Sequence, residues 1–362
     1  MKNTIGNSLS VTLFGESHGE AIGAVIDGIA AGITVDEQFI SAQLSRRRPQ
    51  GSISTPRKEA DIFKIVSGVF EGKTTGAPIC ILIPNSDTHS TDYSEIKNKM
   101  RPSHADYTAF VKYGGFADYR GGGHFSGRIT AAIVAAAAIV LPALQKKGIK
   151  IGTHIKSIAG VCDRAFESEN DIELIKNSPF PILDGSVKAA MTEKIEAAKA
   201  EGNSVGGTLE TAVYGMPVGI GEPWFDTLEG TLSHALFSIP AVKGVEFGLG
   251  FGFAESNGKA ANDQMFAENG AIKTYTNNNG GIVGGISNGM PIIFRTVIKP
   301  TPTIASEQKT VDVSTMQNTT LASRGRHDPC IVHRAAVVQE SVTALTLADM
   351  LCVKYGTDWL GE

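Results

Sequence analysis

The sequence predicts an α+β fold in which packed sheets carry outer helices. Three observations support that prediction. Strand-like segments come in runs rather than in strict alternation with helices, which argues against a parallel βαβ sheet. Two long apolar stretches, Ile129 to Leu144 and AAVVQESVTALTLADMLCVKYG near the C-terminus, read as helices. Both halves of the chain carry strand, glycine loop, strand and long helix, which hints at two pseudo-related halves, although no sequence repeat is visible. No stretch is rich enough in Pro or Ser to separate domains, so residues 1–362 are expected to form a single domain.

Taken in order, SVTLF alternates polar and apolar residues as a half-buried strand does, and AIGAVIDGI reads as its partner. FGESHGE between them is a turn that holds His18 between Gly15 and Gly19. Thr34 and Glu37 have capping-box spacing, and Phe39, Ile40 and Leu44 then supply one apolar helical face. That helix ends in Arg46-Arg47-Arg48-Pro49, where cations complement the macrodipole. VSGVFEG and APICILIP read as a strand pair. In MRPSHADYTAFVKYGG, Ser103 is placed to cap a helix that Gly114 terminates, which puts His104 in its first turn. The second half offers a polar-faced helix ending at Gly202, then strands in GGTLETAVYGMPVG, VKGVEFGLGFGFA and the segment before IKP.

With 42% hydrophobic and 19% charged residues, the chain is composed like an ordinary globular protein rather than a disordered one. A net charge of −4 supplies no blanket attraction to nucleic acid or to an acidic membrane. Cys80, Cys162, Cys330 and Cys352 are scattered without CxxC spacing, so they read as reduced thiols, with no metal site and no disulfide framework. The N-terminus lacks the apolar run of a signal peptide, and the Ala-rich stretch 129–144 falls short of a membrane span. A cytoplasmic protein is expected. Of twelve arginines, seven lie between positions 46 and 128 and three between 324 and 334, a clustering that suits a pocket for a small polyanion or a solvated surface.

Four segments carry candidate chemistry. DYRGGGHFSGR sets three glycines among Arg120, His124, Ser126 and Arg128, which reads as an anion or cofactor cradle or as a glycine turn against a core helix. It is neither a Walker A loop nor a G-x-G-x-x-G fingerprint. RPSHADY places His104 beside Arg101, a pairing suited to general-acid work on a departing phosphate. IKPTPT offers Lys299 and two threonines between ring-fixed prolines. RGRHDPC sets Asp328 beside Arg324 and Arg326, available as a base or as a hydrogen-bond acceptor.

In this order and at this spacing, FGESHG, the Arg46–Arg48 triplet, SGVFEGKTTG, RPSHADYT–KYGG–DYRGGG, AVKGVEFG, GGIVGGISNG, IKPT and GRHDPC resemble the chorismate synthase family over almost the whole chain. The resemblance implies a β-α-β sandwich of antiparallel-type sheets and helices, a homotetramer, and a carbon–oxygen lyase. That lyase would remove phosphate and a proton from 5-enolpyruvylshikimate 3-phosphate to give chorismate. Reduced FMN is the implied cofactor, with no net redox change, and NADPH enters only as a source of reducing equivalents for an external flavin reductase. By the same resemblance His104 protonates the phosphate, His18 sits by the flavin, and Asp328 assists loss of the ring proton. Ser17, His124, Phe125, Ser126, Gly284, Lys299, Pro300, Thr301, Pro302, Thr303 and Arg326 would contact the flavin. Arg47, Arg48, Arg57, Arg101 and Arg128 would hold the substrate's phosphate and carboxylates.

The chain departs from the family pattern at three points. His124-Phe125-Ser126 stands where many relatives have Arg-Ser-Ser, Pro240-Ala241 where they have Asn-Ala, and Ile53 where a second arginine is common, a role that Arg57 would take over. A non-catalytic protein that binds nucleotides or RNA would explain the arginines but not the two histidines and the aspartate within the same motifs. An enzyme with its own NAD(P)H:flavin reductase is disfavoured by the lack of a dinucleotide fingerprint.

Overall fold

The computed structural model describes residues 2–49, 51–55, 60–86, 97–322 and 328–361. The first half builds β1 (Thr4–Ile5), β2 (Ser10–Gly15), β3 (Ala21–Asp27), α1 (Glu37–Arg47), β4 (Lys64–Ser67), the small hairpin β5 (Val69–Phe70) and β6 (Lys73–Thr74), and β7 (Ile79–Pro84). Helix α2 (Asp106–Lys112), the glycine loop and the 17-residue α3 (Thr130–Lys146) follow. The second half adds β8 (Lys150–Ile158), β9 (Val161–Cys162), α4 (Asn170–Ile175), α5 (Lys188–Ala200), β10 (Gly207–Tyr214), α6 (Leu228–Leu236) and β11 (Val242–Phe247). It continues with α7 (Gly258–Ala261), the hairpins β12–β13 (Met265–Glu268, Ala271–Thr274) and β14–β15 (Ile282–Val283, Ile286–Ser287), and β16 (Ile292–Ile298). The hairpin β17–β18 (Gln308–Asp312, Gln317–Leu321) and the 24-residue α8 (Val332–Tyr355) complete the chain.

Two five-stranded antiparallel sheets result, in the orders β1-β2-β3-β7-β4 and β11-β16-β10-β8-β9. The long helices lie between them. α3 packs on β3 and β7 of the first sheet, α8 on β8 and β10 of the second, and the two helices pack on each other. This is a β-α-β sandwich, and it corrects the reading of outer helices. The physical reason is in the sequence: α3 is apolar on every face rather than along one stripe, and α8 is buried nearly all round, its polar side chains included, so both need cover on both sides. Both are long and apolar enough to cross a membrane by length and composition, yet nearly all of each is buried inside the protein. The strands pack against them by simple alternation. Ile79, Ile81 and Ile83 of β7, and Ile292, Phe294 and Ile298 of β16, are all buried. Each half therefore contributes one sheet and then one long buried helix.

Polar ties pin these layers in register. The Asp349 carboxylate on α8 accepts the backbone N–H groups of Asn7, Ser8 and Leu9, which fixes the turn between β1 and β2. Arg46 at the end of α1 forms a bidentate pair with Glu340 of α8, both contacts at 3.0 Å. Gln339 of α8 donates to Thr211 on β10 at 2.8 Å.

Two helix starts differ from expectation. Asp36, not Thr34, caps α1, accepting from the N–H groups of Gln38 and Phe39. An ionised carboxylate two residues nearer the first turn is simply the better-placed acceptor. Ser103 does not cap α2, which starts at Asp106 behind Ala105 with no side-chain cap, and Ser103 itself has φ of 57°. His104 thus precedes the helix. The C-terminal expectation holds, because the Gly115 N–H returns to the Phe110 carbonyl at 2.9 Å with Gly114 at φ 59°.

Candidate active site

The three consecutive glycines have a steric explanation. Gly121, Gly122 and Gly123 take φ of 58°, 87° and 54°, which a side chain would resist. Space is equally restrictive. A Cβ on Gly121 would overlap the His18 imidazole and stand 2.7 Å from Ser17 Oγ, one on Gly122 would stand 3.3 Å from His104 Cε1, and one on Gly123 would strike the Asp118 carbonyl. The backbone of this loop therefore lies against both histidines that the sequence singles out. Hydrogen bonds lock it to the turn after β2. The Ser17 N–H donates to the Gly123 carbonyl at 3.1 Å, Ser17 Oγ to the Arg120 carbonyl at 3.1 Å, and His124 Nδ1 to the Gly15 carbonyl at 2.7 Å. Ser17 Oγ also lies 3.1 Å from His18 Nδ1. Arg120 is spent locally on Asp118, at 2.9 and 2.8 Å, so its guanidinium holds the loop rather than a ligand.

His104 is fixed by a carboxylate two residues further along the chain, Asp106. Its Nδ1 lies 2.6 Å from Asp106 Oδ1, and Asp106 in turn takes the Nε and Nη2 of Arg101, each at 2.7 Å. Burial pushes the Asp106 carboxyl up, but hydrogen bonds from Arg101 and His104 outweigh it and hold the group far below the usual carboxylate range. Lys299 Nζ reaches the Ser103 carbonyl at 2.6 Å, joining the IKPTPT segment to this one. Burial and the nearby Lys243 push the Lys299 ammonium down.

The arginines converge on a second unexpected carboxylate. Asp61 is fully buried, at φ 49°, and takes Arg47 Nη2 at 2.9 Å and a short contact from Arg128 Nη1. Burial pushes its carboxyl up, yet Arg47 and Arg128 hold it below the ordinary range. Arg128 is held further by the Asn85 side chain at 3.0 Å and the Pro84 carbonyl at 3.2 Å. Nearby, Asp328 accepts the Thr55 N–H at 2.8 Å and pairs with Arg334 of α8, whose Nε donates to the Arg47 carbonyl at 2.8 Å.

These groups surround one cavity of about 910 Å³. Its described lining includes seven lysines and arginines against a single carboxylate, Asp328, so the space is strongly cationic. Its floor is apolar, formed by Ile133 of α3 and by Val338, Val342 and Leu345 of α8. Of the residues expected at a site, Arg47, Arg101, His104, His124, Phe125, Ser126, Arg128, Lys299, Thr301, Pro302, Thr303 and Asp328 line it. Ser17 and His18 stand behind the glycine loop, one layer from the space. Arg48 turns instead to the Ala60 carbonyl, and Pro300 does not reach the wall. Gly284 lies in the β14–β15 hairpin, which packs at the start of α6 and does not line the cavity in this chain. Arg57 and Arg326 lie outside the described residues. Asp61, Asp106, Arg334 and Lys243 join the site without having been expected there; only Asp106, two residues after His104, carried a local signal in the sequence.

The chorismate synthase family profile matches residues 9–352. The chain is 45% identical over 351 residues to the chorismate synthase of Dehalococcoides mccartyi, covering 97% of this chain and 96% of that one. It is 48% identical over 347 residues to the enzyme of Thermococcus gammatolerans, covering 96% of each. A crystal structure of a chorismate synthase superposes with a TM-score of 0.77 at 31% identity, covering 98% of this chain and 94% of that one.

Proposed function

The chain belongs to the chorismate synthase family and is a lyase, and on that premise we propose that it converts 5-enolpyruvylshikimate 3-phosphate to chorismate by anti-1,4-elimination. The observation that carries this reading is one cationic cavity whose walls bring His104, Arg101 and Asp328 together over an apolar floor. Phosphate and carboxylates of the substrate suit Arg47, Arg101 and Arg128, whose guanidiniums are already oriented by the buried Asp61 and the partly buried Asp106. His104 protonates the departing phosphate. Asp328, anchored by Thr55 and Arg334, assists loss of the ring proton. Phosphate and one proton leave while a second double bond forms in the ring, so atoms and charge balance without an oxidant.

The residues present fit reduced FMN. The aliphatic side chains of Ile133, Val338, Val342 and Leu345 suit the isoalloxazine ring, the lysines suit its phosphate, and Thr301 Oγ1 is buried without a hydrogen-bond partner among the described residues. His124, Phe125, Ser126, Lys299, Thr301, Pro302 and Thr303 would hold the flavin. Ser17 and His18 would support it through the glycine loop. Reduced flavin, when bound there, would supply transient electron density for departure of the phosphate, with no net redox change. Reducing equivalents come from an external reductase that draws on NADPH. The chain is read as one domain, in keeping with the helix layer that both sheets share, and as a cytoplasmic enzyme. It assembles as a homotetramer, in keeping with Trp224, Phe225 and Phe251, which are 85%, 95% and 84% exposed.

The test is anaerobic. Protein, dithionite-reduced FMN and substrate are mixed, and phosphate and chorismate are followed; a second mixture contains oxidised FMN and NADPH. Turnover in the first mixture alone is expected. Turnover in both would place a reductase within this chain, and product in neither, with flavin bound, would refute the assignment of substrate.

A further inference from the structure

We propose that Asp106 is the positioning residue for His104: it holds the Nδ1–H, so that the imidazolium gives its proton to the ligand from Nε2 and the neutral ring left behind is the Nδ1–H tautomer. The inference rests on the reading of His104 as the acid. Its geometry is specific. Asp106 Oδ2 accepts the backbone N–H and the Nε of Arg101, at 3.1 and 2.7 Å, while Oδ1 accepts Arg101 Nη2 and faces His104 Nδ1 at 2.6 Å. An ionised carboxylate only accepts, so Nδ1 must be the protonated nitrogen of a neutral ring. A neutral histidine in water has no such constraint. Asp106 itself does not line the cavity, whereas His104 does, so the carboxylate stands behind the ring and acts through it. On the other side, the Cε1–Nε2 edge lies against Gly122, where a Cβ would approach to 3.3 and 3.5 Å. Carboxylate and glycine backbone together leave the ring one orientation.

The same carboxylate orients Arg101, so a second role must be separable. The separation comes from the chemistry of an amide. In Asp106→Asn the carbonyl oxygen keeps the N–H and Nε donors of Arg101, and the NH₂ then faces His104 Nδ1 while the bond from Arg101 Nη2 is lost. That arrangement needs an unprotonated Nδ1 and inverts the tautomer.

The experiment uses the full chain labelled with ¹⁵N-histidine, with His104 assigned by its loss in His104→Gln. Long-range ¹H–¹⁵N spectra are expected to show Nδ1–H in the wild type and Nε2–H in Asp106→Asn. Wild-type protein whose neutral ring carries its proton on Nε2 rather than on Nδ1 would overturn the proposal, whatever the variants do. Turnover gives the second readout. Asp106→Asn is expected to lower kcat at least tenfold, in line with the effect of losing an orienting partner, and to add less than about twofold in a His104→Gln background. Full additivity of the two substitutions would assign Asp106 to Arg101 alone and refute the proposal. If His104→Gln retains wild-type turnover, the acid reading fails, and the spectra still decide what Asp106 does to the ring.

Discussion

Gly121 packs against the imidazole of His18 with no room for a methyl group, since a Cβ there would overlap the ring and crowd Ser17 Oγ at 2.7 Å. Gly121→Ala therefore combines a clash with a left-handed residue at φ 58°. The backbone alone is expected to cost about 1–2 kcal/mol, with displacement of His18 in addition. Thermal unfolding and FMN titration check it: Tm falls and flavin affinity weakens together. Gly127→Ala, where nothing lies within 4 Å of the added Cβ, should leave Tm nearly unchanged.

Asp61 is the only carboxylate between Arg47 and Arg128 among the described residues, and it is fully buried. Asp61→Ala leaves like charges facing one another and is expected to destabilise the fold by about 3–5 kcal/mol. Chemical denaturation measures this directly. The pH dependence has a fixed sign. A carboxylate whose folded pKa is depressed gives its full stabilisation above its unfolded value, about 4, and loses it as pH falls through the folded value. Wild type should thus lose stability below about pH 4 more steeply than Asp61→Ala, and parallel curves would contradict the assignment.

These two sites also mark where the sequence was legible. The glycine loop, His104 and the basic character of the pocket could be read from local residue types. The long helices were visible as long, largely apolar runs, although the lack of a polar stripe on α3 argued for a central rather than an outer place. Asp61 lies 14 residues from Arg47 and 67 from Arg128, so no spacing rule joins them. Arg334 meets Asp328 only because α8 begins four residues after it, next to the segment that ends α1. Capping went astray where two acceptors competed: Thr34 and Asp36 both stood near the start of α1, and the nearer carboxylate won.

The second sheet holds a buried histidine outside the candidate site. His154 on β8 is fully buried, with Nδ1 2.9 Å from Asp163 and Nε2 3.2 Å from Glu210, and Glu210 pairs onward to Arg295 at 3.3 Å. Burial pushes its pKa down, but the two carboxylates outweigh burial and leave it raised. A raised folded pKa means that the stabilisation is complete below the unfolded value of about 6.5 and is lost as pH rises through the folded one. Tm should decline on the alkaline side in wild type, and His154→Gln should flatten that decline while lowering Tm at pH 6. An unchanged alkaline slope would mean that the ring is already neutral.

Asp328 tests the chemistry itself. It accepts one backbone N–H from Thr55 and pairs with Arg334. Asp328→Asn can keep the first contact through its carbonyl oxygen but has no basic oxygen left for the proton. If Asp328 assists proton loss, kcat should fall by about 10²–10⁴, the range for a lost acid–base group, while KM moves by less than about threefold. Steady-state kinetics with reduced FMN in excess separates the two parameters. A rise confined to KM would instead assign Asp328 to holding the substrate, because uniform binding was then all that it contributed.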